Sequence, residues 1–255
     1  MHDLSGKTVL LTGASKGIGA ATARALGRAG ASLVAHYGTD RAGAEAAVAG
    51  LPAERLLLLQ ADLGHSGEVD RLWREAVAWR GRVDVLVNNA AVMRIGGGID
   101  AEDGEWDEIW DEALRVNVLT PVRLMRHAVR HHVEQGGGIL ITVSSWVAQR
   151  GSGNPALLAY SASKGAVLAA TKTIARHYAG RGVLAYNIAP GVVRTRLSEQ
   201  SAAATGGEAA VTASLAMGEW VPPEELAELI AWLATGTCRH LTGATLDVNG
   251  ASYLR

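Results

Sequence analysis

The chain reads as an α/β protein, a doubly wound parallel sheet with helices on both faces, and three observations predict it. Short apolar runs alternate with long alanine-rich amphipathic stretches, the βαβα rhythm in which strands pair in parallel and crossovers cover the sheet. With 48% hydrophobic residues in 255, the chain is long enough to bury a sizeable core. A glycine-rich turn also follows the first apolar run directly.

Seven strands are expected, over 8–11, 32–36, 55–60, 83–87, 138–143, 183–188 and 244–248. The first, TVLL, runs into Gly13, and a helix is expected to begin near Ile18. Helices fill the gaps between the later strands. The segment 196–221, rich in Ala, Gly and Ser, breaks the rhythm and reads as a mobile lid. It runs into Pro222, Pro223 and Glu224, a helix-opening signal. Nothing elsewhere reads as a linker or repeat, so one domain over 1–255 is expected.

A net charge of −1 with no basic block gives no field for a phosphate backbone, so nucleic-acid binding is disfavoured. No apolar run approaches the roughly 18 residues of a membrane span. The start, MHDLSGK, carries Asp3 and passes straight into a strand, unlike a signal peptide. A soluble, cytoplasmic protein is expected. The one cysteine, Cys238, excludes an internal disulfide and reads as a small buried filler. His127, His131 and His132 lack the motif of a metal site and read as an exposed helix face, so no metal is expected.

Lysine is scarce, and one of only four, Lys164, stands four residues after Tyr160. Positions i and i+4 share a helical face, so the ammonium is expected beside the phenol. A neighbouring cation favours the ionised phenol and lowers its pKa from about 10, which makes it an acid or base usable near neutrality. Taken alone, the pair is equally a solvated patch of helix. The turn TGASKGIG has G-x-x-x-G-x-G spacing with glycines 13, 17 and 19 between strand and helix. Such a turn lets backbone N–H groups and the positive helix end approach a pyrophosphate, although similar turns also exist for packing alone.

TGASKGIG, Asp62, NNAA at 88–91, Asn117, the set Ser145, Tyr160 and Lys164, and APG at 189–191 occur in one order along the chain. In this the chain resembles the short-chain dehydrogenase/reductase family, specifically its classical branch and its 3-oxoacyl reductases. The resemblance runs from Leu4 to the end of the sequence. It implies a Rossmann sheet of seven parallel strands that binds NAD(P)(H) and moves a hydride between nicotinamide and a carbonyl or alcohol carbon. It also implies a catalytic set. Tyr160 would be the general acid or base, Lys164 would lower its pKa and hold the nicotinamide ribose, and Ser145 would donate to the substrate oxygen. Asn117 would hold a water linking Lys164 to solvent. By the same resemblance the cofactor contacts are Gly13, Ser15, Lys16, Gly17, Ile18 and Gly19 in the turn and Tyr37 after the second strand. Asp62 and Leu63 would lie at the adenine and Asn89 and Ala90 at its ribose. Pro190, Gly191, Val193 and Thr195 would lie beside the nicotinamide, with Tyr160 and Lys164. A homo-tetramer is implied too.

NAD-specific sites of this kind end the second strand with a carboxylate that would repel a 2′-phosphate. Here that region reads Ala35, His36, Tyr37, Gly38, Thr39, while Lys16 and Arg41 offer positive charge. NADP(H) is therefore the expected cofactor, with NAD(H) possible. The chain departs from the family pattern at Ala91, where glycine is usual, and at Tyr186 and Asn187. Loops 93–103 and 149–159 are slightly long and bear on substrate choice, and Trp146 and Trp220 are candidates for an apolar substrate wall. Trp106 and Trp110 share a helical face and read as packing. The expected activity is NADPH-dependent reduction of a ketone or 3-oxoacyl-type carbonyl. The competing readings are an alcohol or hydroxysteroid-like dehydrogenase run oxidatively, and a non-catalytic dinucleotide-binding sensor.

Overall fold

The computed structural model describes residues 2–203 and 206–254. Its strands are β1 (Thr8–Leu11), β2 (Ser32–Tyr37), β3 (Leu56–Gln60), β4 (Val85–Asn88), β5 (Gly138–Val143), β6 (Val183–Pro190) and β7 (Thr245–Val248). They form one sheet in the order β3-β2-β1-β4-β5-β6-β7, with every neighbouring pair parallel. All seven expected strands are present. The fourth begins at Val85, two residues late, because Val83 turns its N–H to His131 Nε2 and its carbonyl to His132 Nε2.

Strand alternation divides the core in two. Val9 and Leu11 of β1, Val85 and Val87 of β4, and Ile139 and Ile141 of β5 face one layer, while Leu10, Leu86 and Leu140 face the other. The first layer holds α1 (Gly17–Arg28), α2 (Arg41–Ala47) and, packed on α1, α10 (Pro223–Thr235). The second holds α3 (Ser66–Arg80), α5 (Thr120–Glu134) and α7 (Leu158–Tyr178). Helices α4 (Asp103–Leu114) and α6 (Val147–Arg150) flank α7 at the end where the strands point their carboxyl termini. The chain order reverses between β1 and β4, and crevices at such reversals bind ligands.

The segment expected as a lid folds as α8 (Arg196–Ala203) and α9 (Gly207–Ala213), with Ala204 and Thr205 outside the described residues. Its two ends are tied by a parallel bridge between Val193 and Val221. The opening signal at its end is realised, with Pro222 as the N-cap of α10.

Three sequence expectations are corrected. Cys238 is exposed rather than buried. His132 is fully buried against Gly138, and desolvation pushes its pKa down to about 4, so it is a neutral core residue. His127 accompanies Arg123 on Asp70, with contacts of 2.6–2.7 Å, and stacks on Trp73. Among the described residues there is no cluster of His, Cys, Asp and Glu fit to hold a metal. Among them, too, no helix is long and apolar enough to cross a membrane. Trp106 and Trp110 do pack on one another, 5.0 Å between ring centroids.

Candidate active site

The glycine-rich turn is fixed by close approach. A Cβ on Gly19 would overlap the Gly13 carbonyl oxygen, and one on Gly13 (φ 73°) would stand 3.0 Å from Cα of Ala90. Only glycine lets the chain fold this tightly here. The turn is also pinned from both sides. Asn89 Nδ2 donates to the carbonyls of Thr12 and Gly13, at 2.9 and 3.1 Å, and Thr12 Oγ1 accepts the N–H groups of Asn89 and Ala90. From β2, His36 Nδ1 accepts the Gly13 N–H at 3.1 Å while Nε2 donates to Ala61 O at 3.0 Å. Burial lowers the His36 pKa, which keeps the ring neutral and able to accept. Thr12 and His36 were absent from the sequence-derived site. His36 entered there only as the missing acid.

Helix α1 follows with Lys16 as its N-cap and no side-chain capping bond, so the first-turn N–H groups face the crevice uncapped. Together with the absent side chains at 13, 17 and 19, this is a cradle shaped for a pyrophosphate.

Tyr160 and Lys164 lie one turn apart on α7, and Ser145 follows the end of β5. Despite the long loop between them, Ser145 and Tyr160 line the same cleft, and the Ser145 hydroxyl draws the phenol pKa down. Lys164 is 4% exposed, and its Nζ donates to Val143 O at 2.9 Å and lies 5.7 Å from the Tyr160 ring centroid. The expectation of a phenol resting below its ordinary pKa is corrected. Desolvation dominates both groups, raising Tyr160 to about 12 against the pull of Ser145 and lowering Lys164 to about 8. The resting phenol is therefore protonated. Ser144, the other serine of the pair, donates to Lys164 O from a buried position, as a strand-end hydroxyl does.

Asn117 lies on a π-helical turn, Arg115–Leu119, between α4 and α5. Its Oδ1 accepts Val92 N–H, and its Nδ2 donates to Val92 O and to Ser163 Oγ, whose hydroxyl donates to Tyr160 O. The amide thus fastens the chain after β4 to α7 just below Tyr160. The structure gives it no bond to Lys164.

One cleft of about 530 Å³ joins these parts. Lys16 and the three glycines wall one end, Ser145, Tyr160 and Lys164 the other. Ile18, Asn89 and Ala90 line it beside the turn; Pro190, Gly191, Val193 and Thr195 line it on the β6 side. Four expected cofactor contacts lie outside its walls: Ser15, Tyr37, Asp62 and Leu63. Tyr37 is packed at the end of β2, Leu63 is held in the core with Thr120 bonded to its carbonyl, and the Asp62 carboxylate accepts Gly64 N–H and contacts His65. A second cavity of about 560 Å³ meets the cleft at Ser145, Tyr160 and Gly191. Trp146, Leu157 and Met93 line it, together with residues of α8 and α9. Trp220, a candidate for either a substrate wall or core packing, is buried in the small core under these two helices, its Nε1 donating to Thr212.

A parallel sheet with a glycine cradle at its switch point, opening onto a serine, tyrosine and lysine, defines a dinucleotide-dependent oxidoreductase. The family model described as enoyl-(acyl carrier protein) reductase matches residues 13–251. A 3β-hydroxysteroid dehydrogenase of Eggerthella lenta is 34% identical, over 99% of this chain and 95% of its own. A crystal structure of a 3-ketoacyl-(acyl-carrier-protein) reductase from Brucella melitensis, complexed with NADH, superposes with TM-score 0.86 at 29% identity, covering 99% and 100% of the two chains. A putative NAD(P)-dependent gluconate 5-dehydrogenase from Beutenbergia cavernae, with bound NADP, gives TM-score 0.87 at 33% identity over 98% of each. The chain belongs to the short-chain dehydrogenase/reductase family. It is an oxidoreductase of CH–OH and C=O groups that uses a nicotinamide dinucleotide.

Proposed function

We propose that the protein is an NADPH-dependent reductase that converts a ketone to the secondary alcohol, with Tyr160 as general acid. The observation that carries this is the single cleft running from the glycine cradle to Tyr160. NADPH held along it supplies a hydride. The protein does the rest. The cradle amides and Lys16 hold the phosphates, and Ser145 donates to the carbonyl oxygen as charge builds on it. Tyr160, protonated at rest, delivers the proton, while the charge on Lys164 offsets the phenolate left behind. Asn117 acts as a positioning residue, fixing the start of α7 through Ser163.

Preference for the 2′-phosphate is supported by the end of β2. Asp40 there caps α2 by accepting Gly43 N–H, and Arg41 is paired with Glu45 on the surface. Among the described residues Lys16 has no such partner, which leaves its charge for a phosphate. The helices α8 and α9 act as the lid, α8 bordering both cavities and α9 the second, with their two ends tied where Val193 and Val221 meet. Tetrameric assembly, as the resemblance implies, is supported by exposed Leu114 and Leu119 around the π-turn, and a place in the cytoplasm completes the reading.

A carbonyl panel followed by NADPH absorbance tests it, with Tyr160→Phe beside the wild type. The variant is expected to bind NADPH as the wild type does and to lose about 10²–10⁴-fold in kcat. In the same assay kcat/KM with NADPH should exceed that with NADH. Equal turnover in variant and wild type, or equal efficiency with the two nucleotides, contradicts the corresponding part.

A further inference from the structure

The cavity beyond Tyr160 has an unusual charge balance. Among the described residues Arg150 is the one charged side chain lining it, and no Asp or Glu side chain does. Its guanidinium lies 4.2 Å from the Trp146 ring centroid, and it has no acidic partner among the described residues. The adjacent Gln149 turns elsewhere, donating to Asp247 at 2.9 Å. Stacking on an indole holds a guanidinium by its face and leaves the N–H edge free for a planar acceptor.

Two further donors stand in the same loop. Gly151, at φ 74°, lets the chain turn sharply after Arg150 and brings Ser152 and Asn154 to the cavity wall. Ser152 Oγ accepts Asn154 N–H at 3.1 Å, and Asn154 Oδ1 accepts Ala156 N–H at 3.0 Å. With their acceptor atoms engaged by the backbone, the Ser152 hydroxyl proton and the Asn154 Nδ2 group remain to donate outward. Three donors, one of them charged, thus line a cavity that opens onto Ser145 and Tyr160. A carboxylate is the group that satisfies such a set.

We propose that the loop 149–159 is a carboxylate clamp, and that the substrate is a small keto acid whose acid group pairs with Arg150 while its ketone lies at Ser145 and Tyr160. The proposal rests on the reductase reading above for the ketone end only. The clamp itself is a binding site that exists whether or not the protein turns over.

Two measurements test it. In the first, 3-, 4-, 5- and 6-oxo acids are compared with their methyl esters as substrates. Wild type should favour the acid at one chain length, and Arg150→Ala should lower kcat/KM for that acid about tenfold to a hundredfold, through KM, while changing the ester about twofold or less. Arg150→Glu should prefer the ester. Equal use of acid and ester by the wild type, or an equal loss on both in Arg150→Ala, overturns the clamp. In the second, the NADP⁺-bound protein is titrated calorimetrically with hexanoate, which cannot be reduced. Binding should weaken about tenfold or more in Arg150→Ala and recover in part in Arg150→Lys. Unchanged or absent binding overturns the clamp regardless of turnover. If instead hexanoate binds through Arg150 and no oxo compound is reduced, the clamp stands and the reductase reading fails.

Discussion

The two halves of the active cleft are built in different ways. Around the glycine turn the shape is set largely by close backbone approach, Gly19 to the Gly13 carbonyl and Gly13 to Cα of Ala90, with the Thr195 side chain against Gly17 and with Asn89, Thr12 and His36 closing the remaining bonds. Around the substrate cavity the shape is set by side chains on short loops and on two small helices, held by the Val193–Val221 bridge and a core of only a few apolar residues. A backbone-built site tolerates almost no change and serves a ligand shared by many enzymes. A side-chain-built site can be rewritten one residue at a time, which is where specificity resides.

If that contrast is right, the largest effect should come from the turn. Gly19→Ala places a methyl on the Gly13 carbonyl, and dinucleotide affinity measured by fluorescence titration should fall about tenfold to a hundredfold. Normal binding by this variant would break the comparison. His36→Phe should act less strongly. It leaves the N–H of Gly13 and the carbonyl of Ala61 without their partner at a cost of about 1–3 kcal/mol, read as a lower thermal midpoint and weaker NADPH binding together. Loss of stability with unchanged NADPH affinity would show that His36 does not shape the turn.

The smallest and most gradual effect is in pH. Lys164 has its pKa lowered to about 8, so above that value reduction should slow as the ammonium loses its charge. Stability should move the other way. Between about 8 and the ordinary lysine value of 10.5, the unfolded chain holds a proton that the folded chain has lost, so stability rises with pH across that window. Tyr160, raised to about 12, opposes this above about 10, where the unfolded phenol ionises first. Lys164→Met should abolish the rise between 8 and 10, and a rise that persists would assign it to another group.

The same contrast explains what the sequence made legible. Strands β1 and β5 have the bounds that their apolar runs predict, and the glycine turn, Tyr160 and Lys164 line one cleft as the family resemblance implied. These features depend on local pattern. The pKa of Tyr160 was misread because the i, i+4 rule gives proximity and says nothing of burial, and burial dominates here. His36 and Thr12 were missed because their partners lie across neighbouring strands, at Gly13, Ala61, Asn89 and Ala90, which no short motif encodes. By its place in the chain Trp220 fits a cavity wall and core packing alike. Its direction was decided by how α8 and α9 fold beneath it.

The most direct test of a continuous cleft is to measure NADPH binding and turnover side by side in Gly19→Ala and Tyr160→Phe. Weakened binding in the first, with intact binding and lost turnover in the second, is the predicted pair of results. Full NADPH affinity in Gly19→Ala, or turnover that survives in Tyr160→Phe, would contradict a dinucleotide lying from the glycine cradle to the phenol.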